Sequence, residues 1–442
     1  MEQQCISVAA SDGLYVTDDY LVTHNTAQAI TYANELAAER ILVVCPASVR
    51  LQWEQMIHRW VWPRNHRTKT GFPVVNPILR GGAAIYKGPA PCWWVISYDL
   101  LARKPAIYEM FLRDRYDLVI LDEIHMLRSP TAARTQHILG AQHIDGVADQ
   151  GDHKLGLTGT PLPSRPRECY TITRSFCWDA IDRMSERKFR SLYNDSMKVN
   201  GFKTIEIVGR LPELQNRLRA NFMVRRIKED VLPQLPKTRY ELTYVEPTTG
   251  VRHALRAERM LGIDPTSFHD WDADVQGQIA TVRREMGEAK VPLIVEHMHR
   301  LMDEIDKAVV FCWHQPVAQA LYEKLAEYNP VVATGKTSAR QKHERKEHFI
   351  AEPSCRLFIG NIASVGTGTN GIQEVASWAV FAEPSWTPGE NEQAVDRLRR
   401  MGQTGYVVAQ FLIAPHGFDE RVLRSNLEKA DRIEQTLDRS MT

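Results

Sequence analysis

The sequence predicts an α/β fold built from two parallel-sheet domains, and three observations carry that expectation. From Thr26 onward, short apolar runs alternate with amphipathic stretches, the pattern of a parallel sheet covered by helices. The alternation occurs twice, on either side of a connector containing Pro247, Thr248, Thr249 and Gly250. A chain of 442 residues is also too long for one ordinary domain and suits two or three, each with a sizeable core.

Taken in chain order, residues 5–25 (CISVAASDGLYVTDDYLVTHN) alternate apolar and polar side chains around a Ser-Asp-Gly turn. They predict two short strands of a hairpin and no helix. Strands are expected at 41–45, 93–96, 118–121 and 155–158, with helical spacing at 49–60 and 106–113. Residues 165–227 have few strand signals and many basic and aromatic residues, so a helical insertion is expected there, closing the first domain. Helices follow the connector, then strands at 308–312, 357–360, 379–382 and 407–413, and residues 418–437 have the periodicity of a C-terminal helix. No internal repeat or low-complexity tract interrupts the pattern.

Composition narrows the function classes. Hydrophobic residues make up 43%, charged residues 25%, and the formal net charge is +1, the balance of an ordinary globular protein with almost no long-range pull on a polyanion. Any grip on nucleic acid must come from local Lys and Arg clusters. The seven cysteines are scattered and form no C-x-x-C pair, so zinc is not expected and a reducing, cytoplasmic setting fits. No apolar run approaches a membrane span, and the N-terminus lacks a signal peptide's apolar region.

The strongest local signal is LVILDEIHMLRSP, an apolar strand ending in Asp122 and Glu123. At the carboxyl end of a strand such a pair points into the crevice where open α/β sheets bind ligands. Phosphoanhydride hydrolysis needs one acid to hold magnesium and a second group to orient or deprotonate the attacking water. An Asp-Glu pair alone is common on solvated loops; the strand before it and His125 after it set this one apart. In LGLTGTPLP, the residues Thr158, Gly159 and Thr160 follow another strand, where small hydroxyls can relay the state of a nucleotide; read alone, this is a turn. Thr26, in Thr26-Ala27-Gln28-Ala29-Ile30, opens a helix whose free N–H groups and dipole favour phosphates, with its hydroxyl in reach of magnesium. Of a G-x-G-K-T loop only that threonine is present, and the lysine is missing.

The second half supplies NIASVGTGTNGIQEV, with Gly366 and Gly368 as candidate nucleotide contacts, and QAVDRLRRMGQ. Arg397 and Arg400 are three apart and share a helix face, suited to reach a γ-phosphate as arginine fingers, with Gln393 and Asp396 ordering the helix. A basic helix is more often a solvated face. Ser48 and Thr334 lie in loops whose N–H groups and hydroxyls can hold DNA phosphates without reading sequence. Arg165, Arg167, Arg225, Arg226 and Lys228 either line a duplex path or pair with acids of the insertion.

In this order the motifs resemble those of Swi/Snf-type ATPases in helicase superfamily two, over nearly all of residues 26–437. CPASVRLQWEQMIHRW looks like motif Ia, ISYDLL like the next strand and turn, TGT like the third motif, RRIKEDVLPQLPK like the end of the first lobe, and QAVDRLRRMGQ like the sixth motif. RREMGEAKVPLIVEHM and VFAEPSWTPGENEQAVDRLRRMGQ are similar to the annealing-helicase branch, which rewinds DNA and remodels forks. The resemblance implies two RecA-like lobes, ATP and magnesium as cofactors, and stepping along double-stranded or forked DNA without base specificity, in a bacterium or phage. Two departures stand out. Arg399 occupies the usual histidine position of motif VI, and the long second-lobe insertion of chromatin remodellers is absent, which argues against nucleosome work.

His24-Asn25-Thr26 at the end of the first segment resembles the C-terminal splicing blocks of inteins, although the tripeptide alone would suit an edge hairpin. The resemblance implies that the Asn25 amide cyclises onto its own carbonyl, that His24 polarises that carbonyl, and that the Thr26 hydroxyl accepts the upstream chain. The expected organisation is then a β-hairpin intein remnant at 1–25, a first lobe at 26–237 with its insertion at about 165–227, and a second lobe at 238–442. An intein's N-terminal nucleophile and Thr-x-x-His block are missing, so an N-terminal helicase and intein portion is the expected partner in trans, unless the gene is incompletely read. Two alternatives stay open: a strand-separating or restriction-type helicase subunit, and a precursor fragment or ATP-dead DNA-binding module.

Overall fold

Runs such as RILVVC and CWWVIS are too short for stable helices and rich in branched and aromatic side chains, so they pair as buried parallel strands. The computed structural model describes residues 4–8, 14–16, 22–62, 73–82, 85, 91–141, 143–159, 166–199, 203–226, 235–263, 273–362, 371–400 and 402–424. The chain divides into two compact units between Pro233 and Gln234.

In the first unit the strands are β1 (Gln4–Val8), β2 (Leu14–Val16), β3 (Val22–His24), β4 (Arg40–Cys45), β5 (Val74–Pro77), β6 (Cys92–Ser97), β7 (Tyr116–Asp122), β8 (Gly151–Thr158), β9 (Asn194–Val199), β10 (Lys203–Val208) and β11 (Met223–Arg226). Seven of them form one sheet in the order β11-β1-β8-β7-β4-β6-β5, with every pair parallel. Alternate residues feed two cores: Leu42 and Val44 pack on one face with Tyr98 and Phe111, while Ile41 and Val43 pack on the other with Ile30 and Trp53. Both faces are therefore covered, and these strands read as continuous apolar runs.

The second unit has β12 (Thr238–Tyr244), β13 (Ala308–Cys312), β14 (Val331–Ala333), β15 (Leu357–Asn361), β16 (Trp378–Phe381) and β17 (Val407–Ile413). They form a parallel sheet in the order β12-β17-β16-β13-β15-β14. The helix Thr249–Met260 starts at the expected connector, where the Thr248 hydroxyl accepts the Val251 N–H at 3.3 Å. A 30-residue helix, Ala273–Met302, follows. Among the described residues no helix is long and apolar enough to cross a membrane.

Two expectations need correction. Residues 5–25 do not form one two-stranded hairpin: β2 and β3 pair antiparallel, but β1 lies in the main sheet between β8 and β11. A buried parallel strand such as β8 needs partners on both edges, and β1 satisfies the second edge. Residue 25 is already helical, in Asn25–Glu35. The segment 165–227 is also not purely helical. Beside the helices Tyr170–Cys177, Glu186–Tyr193 and Leu211–Asn221 it contains the β9–β10 hairpin, and its last strand, β11, returns to the main sheet. The Asn200-Gly201 dipeptide, followed shortly by the β-branched run KTIEIV, is a hairpin signal that composition obscured. The C-terminal helix begins at Phe418 and is described to Arg424; the rest of 418–437 lies outside the described residues.

The second unit buries charge as well as hydrocarbon. Lys290 is fully buried and donates to Ala382 O at 2.8 Å, to Leu412 O at 2.9 Å and to the Asp419 carboxylate. Glu258 is equally buried and accepts the Phe418 N–H at 2.7 Å. Burial first, and then the Asp419 charge, push the Glu258 carboxyl from the usual 4.5 up to about 7, against smaller opposing pulls from the Phe418 N–H, Arg421 and Lys290. The folded form therefore holds a proton that the unfolded chain releases. Its stabilising contribution is full below pH 4.5 and is lost as pH rises through about 7. Glu258→Gln keeps an acceptor for Phe418, and in urea unfolding it is expected to be more stable than the parent at pH 8 by on the order of 1–3 kcal/mol, with the gap closing toward pH 5.

Candidate active site

Because the sheet of the first unit is parallel, the carboxyl ends of β4, β7 and β8 open on one side. The register sets Leu121 beside Val44 and Gly156, and Asp122 beside Leu157, which brings Cys45, Asp122 and Thr158 to the same rim. Asp122 is 7% exposed. Its Oδ2 accepts the indole N–H of Trp53 at 2.8 Å, and its backbone carbonyl accepts the Tyr98 hydroxyl at 2.6 Å. Burial, and then the neighbouring Glu123 charge, drive the Asp122 carboxyl upward, and the Trp53 indole, the Glu123 N–H and His125 only partly offset them.

After Asp122 the chain turns sharply. Glu123 has φ 52° and ψ 50°, the left-handed region, which costs a residue of this kind on the order of 1 kcal/mol. Fully buried Ile124 and Leu127 in the following 3₁₀ turn hold it there. The same turn brings His125 back: its Nδ1 is 3.2 Å from Glu123 Oε2 and 2.9 Å from the hydroxyl of Thr158, itself fully buried. Asp122, Glu123, His125 and Thr158 thus form one cluster, with Gly159 next in the chain, while Thr160 lies outside the described residues.

The donor set suits magnesium. A hard cation favours carboxylate and hydroxyl oxygens and keeps several waters, and Asp122 is a buried carboxyl whose charge burial disfavours, so a cation beside it would restore the carboxylate. Thr26 lies in the first turn of Asn25–Glu35, a helix packed against β8 and β7. Sequence reasoning missed Trp53, Tyr98 and Cys45, whose part in the site follows only from strand order.

The other candidates fall as follows. Ser48 is in the 3₁₀ turn Ala47–Val49 after β4. Arg225 and Arg226 are on β11, beside Ser7 and Val8 of β1. Arg165 lies outside the described residues, as do Gly366 and Gly368, and nothing is described of the side chains of His24, Asn25 and Arg226. Thr334 follows β14, and its N–H donates to the Thr337 hydroxyl at 3.0 Å.

In the second unit, Gln393 is in the helix Pro388–Val395, and Arg397 and Arg400 follow directly, 9% and 2% exposed. Arg400 Nε donates to Asp396 O at 3.1 Å, and Arg399 Nε donates to Pro236 O at 3.1 Å. Neither Arg397 nor Arg400 is a solvated surface arginine. Arg399, at the motif VI histidine position, secures the start of its own unit.

Residues 20–282, more than half of the chain, match the SNF2-related domain. The chain belongs to the SNF2-related family. Among curated relatives of this SNF2-related chain, a Caenorhabditis elegans homolog of the SWI/SNF-related matrix-associated actin-dependent regulator of chromatin subfamily A-like protein 1 is 26% identical, over 96% of this chain and 59% of the relative. A human DNA annealing helicase and endonuclease is 25% identical, over 85% of this chain and 34% of the relative. The chain thus spans between about a third and three fifths of these relatives' lengths. The structure of the Sulfolobus solfataricus SWI2/SNF2 ATPase core in complex with dsDNA aligns with 99% of this chain and 93% of that one, at 17% identity and a TM-score of 0.37.

The Asp122 environment is directly testable. Trp53→Phe keeps the ring in the core and removes the only side-chain donor described for that carboxylate. At pH 8 it is expected to lower stability by about 1–3 kcal/mol in urea unfolding.

Proposed function

We propose that this SNF2-related chain is the ATP-hydrolysing part of a motor that moves on double-stranded or forked DNA without reading its bases, in replication, repair or recombination. The cluster of buried Asp122 and Thr158 with half-buried Glu123 and His125 carries the reading, because a paired acid and relay at the rim of a parallel sheet is what nucleotide hydrolysis requires. Asp122 and the Thr26 hydroxyl hold magnesium, which supplies charge neutralisation at the phosphates. Glu123 orients the attacking water and takes its proton. His125, shared between Glu123 and Thr158, passes the state of that carboxylate to β8. Arg397 and Arg400 supply positive charge to the γ-phosphate, with Gln393 and Asp396 ordering their segment. Ser48, Thr334, Arg165, Arg225 and Arg226 contact the DNA backbone. That a similar human protein is named a DNA annealing helicase supports the choice of DNA.

We further propose that residues 1–25 are the C-terminal piece of an intein in a phage or bacterial protein. His24, Asn25 and Thr26 then join the chain to an N-terminal part bearing the missing lysine, and hydrolysis begins after joining. In the unjoined chain β1 occupies the sheet position beside β8, and a strand of the incoming part would displace it.

In the joined protein, ATP turnover is expected to rise on addition of duplex DNA; turnover indifferent to DNA would refute the motor. Glu123→Gln is expected to retain bound ATP while losing hydrolysis, by roughly a hundredfold or more in kcat. A forked-substrate displacement assay is expected to show little unwinding, and efficient unwinding would favour a strand-separating helicase. When the N-terminal partner is supplied, Asn25→Ala is expected to block release of the first segment, read as product size on a gel.

A further inference from the structure

One face of the helix Ala273–Met302 carries three residues at helical spacing, Arg283, Gly287 and Lys290, and all three meet the same short stretch of chain. Arg283 is 7% exposed, its guanidinium lies 4.9 Å from the Trp313 ring centroid and 4.7 Å from that of Trp386, and it donates to Pro384 O. Gly287 sits against the Glu383 carboxylate so closely that a Cβ there would overlap it. Lys290 donates to Ala382 O at 2.8 Å. Three successive residues beyond β16 are therefore fixed by one helix face.

The constraint continues along the chain toward the arginines. Ser385 N–H donates to Asn391 Oδ1 at 2.8 Å, and Asn391 Nδ2 returns a bond to Ser385 O at 3.0 Å. The Ser385 hydroxyl donates to Glu390 at 2.6 Å and accepts the Thr387 N–H at 3.1 Å. Glu390 and Asn391 belong to the helix Pro388–Val395, which runs directly into Asp396, Arg397 and Arg400. Glu383 is anchored from the other side by the Trp313 and His314 N–H groups at 3.0 and 2.9 Å and by His314 Nδ1 at 2.6 Å. Hydrocarbon alone would pack this helix, yet a buried arginine and a buried lysine are kept at a desolvation cost. Both donate to the entry of the arginine segment, and Lys290 also holds Leu412 O and the Asp419 carboxylate.

We propose that Arg283, Gly287 and Lys290 form a positioning face that sets the placement of Arg397 and Arg400 for ATP hydrolysis. The proposal rests on the reading of those two arginines as phosphate-facing cations. None of the three positioning residues touches substrate; they act through 382–391. Rotating or displacing that stretch moves the arginines and slows the chemical step while leaving nucleotide affinity in place.

The test uses the joined, full-length protein with saturating duplex DNA, measuring kcat and KM for ATP. Arg283→Leu and Gly287→Ala are expected to lower kcat roughly tenfold to a hundredfold with KM within about twofold. Arg283→Lys, which keeps a cation and a donor, is expected to recover most of the loss. Adding Arg283→Leu to a background that already carries both Arg397→Ala and Arg400→Ala is expected to reduce turnover no further, because the positioning face acts through those two arginines. A further loss on that background would overturn the proposal, as would unchanged kcat in Arg283→Leu and Gly287→Ala while the two arginine variants are impaired. Wild-type turnover in Arg397→Ala with Arg400→Ala would instead remove the arginine reading on which the proposal stands. If Arg283→Leu does not fold, Gly287→Ala on the same background makes the same comparison.

Discussion

A carboxylate at the carboxyl end of a buried parallel strand must be compensated by its neighbours, and this constraint shapes both units. Asp122 has one side-chain donor, Trp53, and burial leaves its proton hard to remove. Glu383, just beyond β16, is buried to a similar extent; burial pushes it up, but the His314 side chain and N–H groups outweigh that and hold it below the ordinary range. The first carboxyl is under-compensated and the second well compensated, although both lie at the carboxyl ends of buried parallel strands.

Much of this was legible in the chain. Apolar runs marked β4, β6, β7, β8, β13, β15, β16 and β17 because both faces of each sheet are covered, so sequence and burial coincide. The edge strands β5, β12 and β14 escaped for the converse reason: β12, TRYELTY, leaves Tyr240, Leu242 and Tyr244 more than half exposed. The acidic pair and its histidine were legible because they are adjacent in sequence. Trp53 and Tyr98 were not, since they lie 69 and 24 residues from Asp122 and strand order alone unites them.

Placement of the first strand illustrates the limit of local pattern. Residues 4–8 have the alternation of a hairpin arm, and nothing local distinguishes that from a strand recruited by an unsatisfied sheet edge. The competition is decided by β8 and β11, some 150 and 220 residues away. Likewise, the helix face of Arg283, Gly287 and Lys290 reads locally as ordinary charge on a long helix, and its meaning comes from what stands opposite.

The thiols give these sheets a built-in clock. Cys45 ends β4 and Cys312 ends β13; both are fully buried, and burial pushes each thiol well above its ordinary value, so neither offers an appreciable thiolate to an alkylating reagent in the native state. Each becomes reactive when its own sheet parts. Followed site by site among the described thiols, Cys45 and Cys312 therefore report separately how often each sheet breathes open, with no engineered cysteine needed.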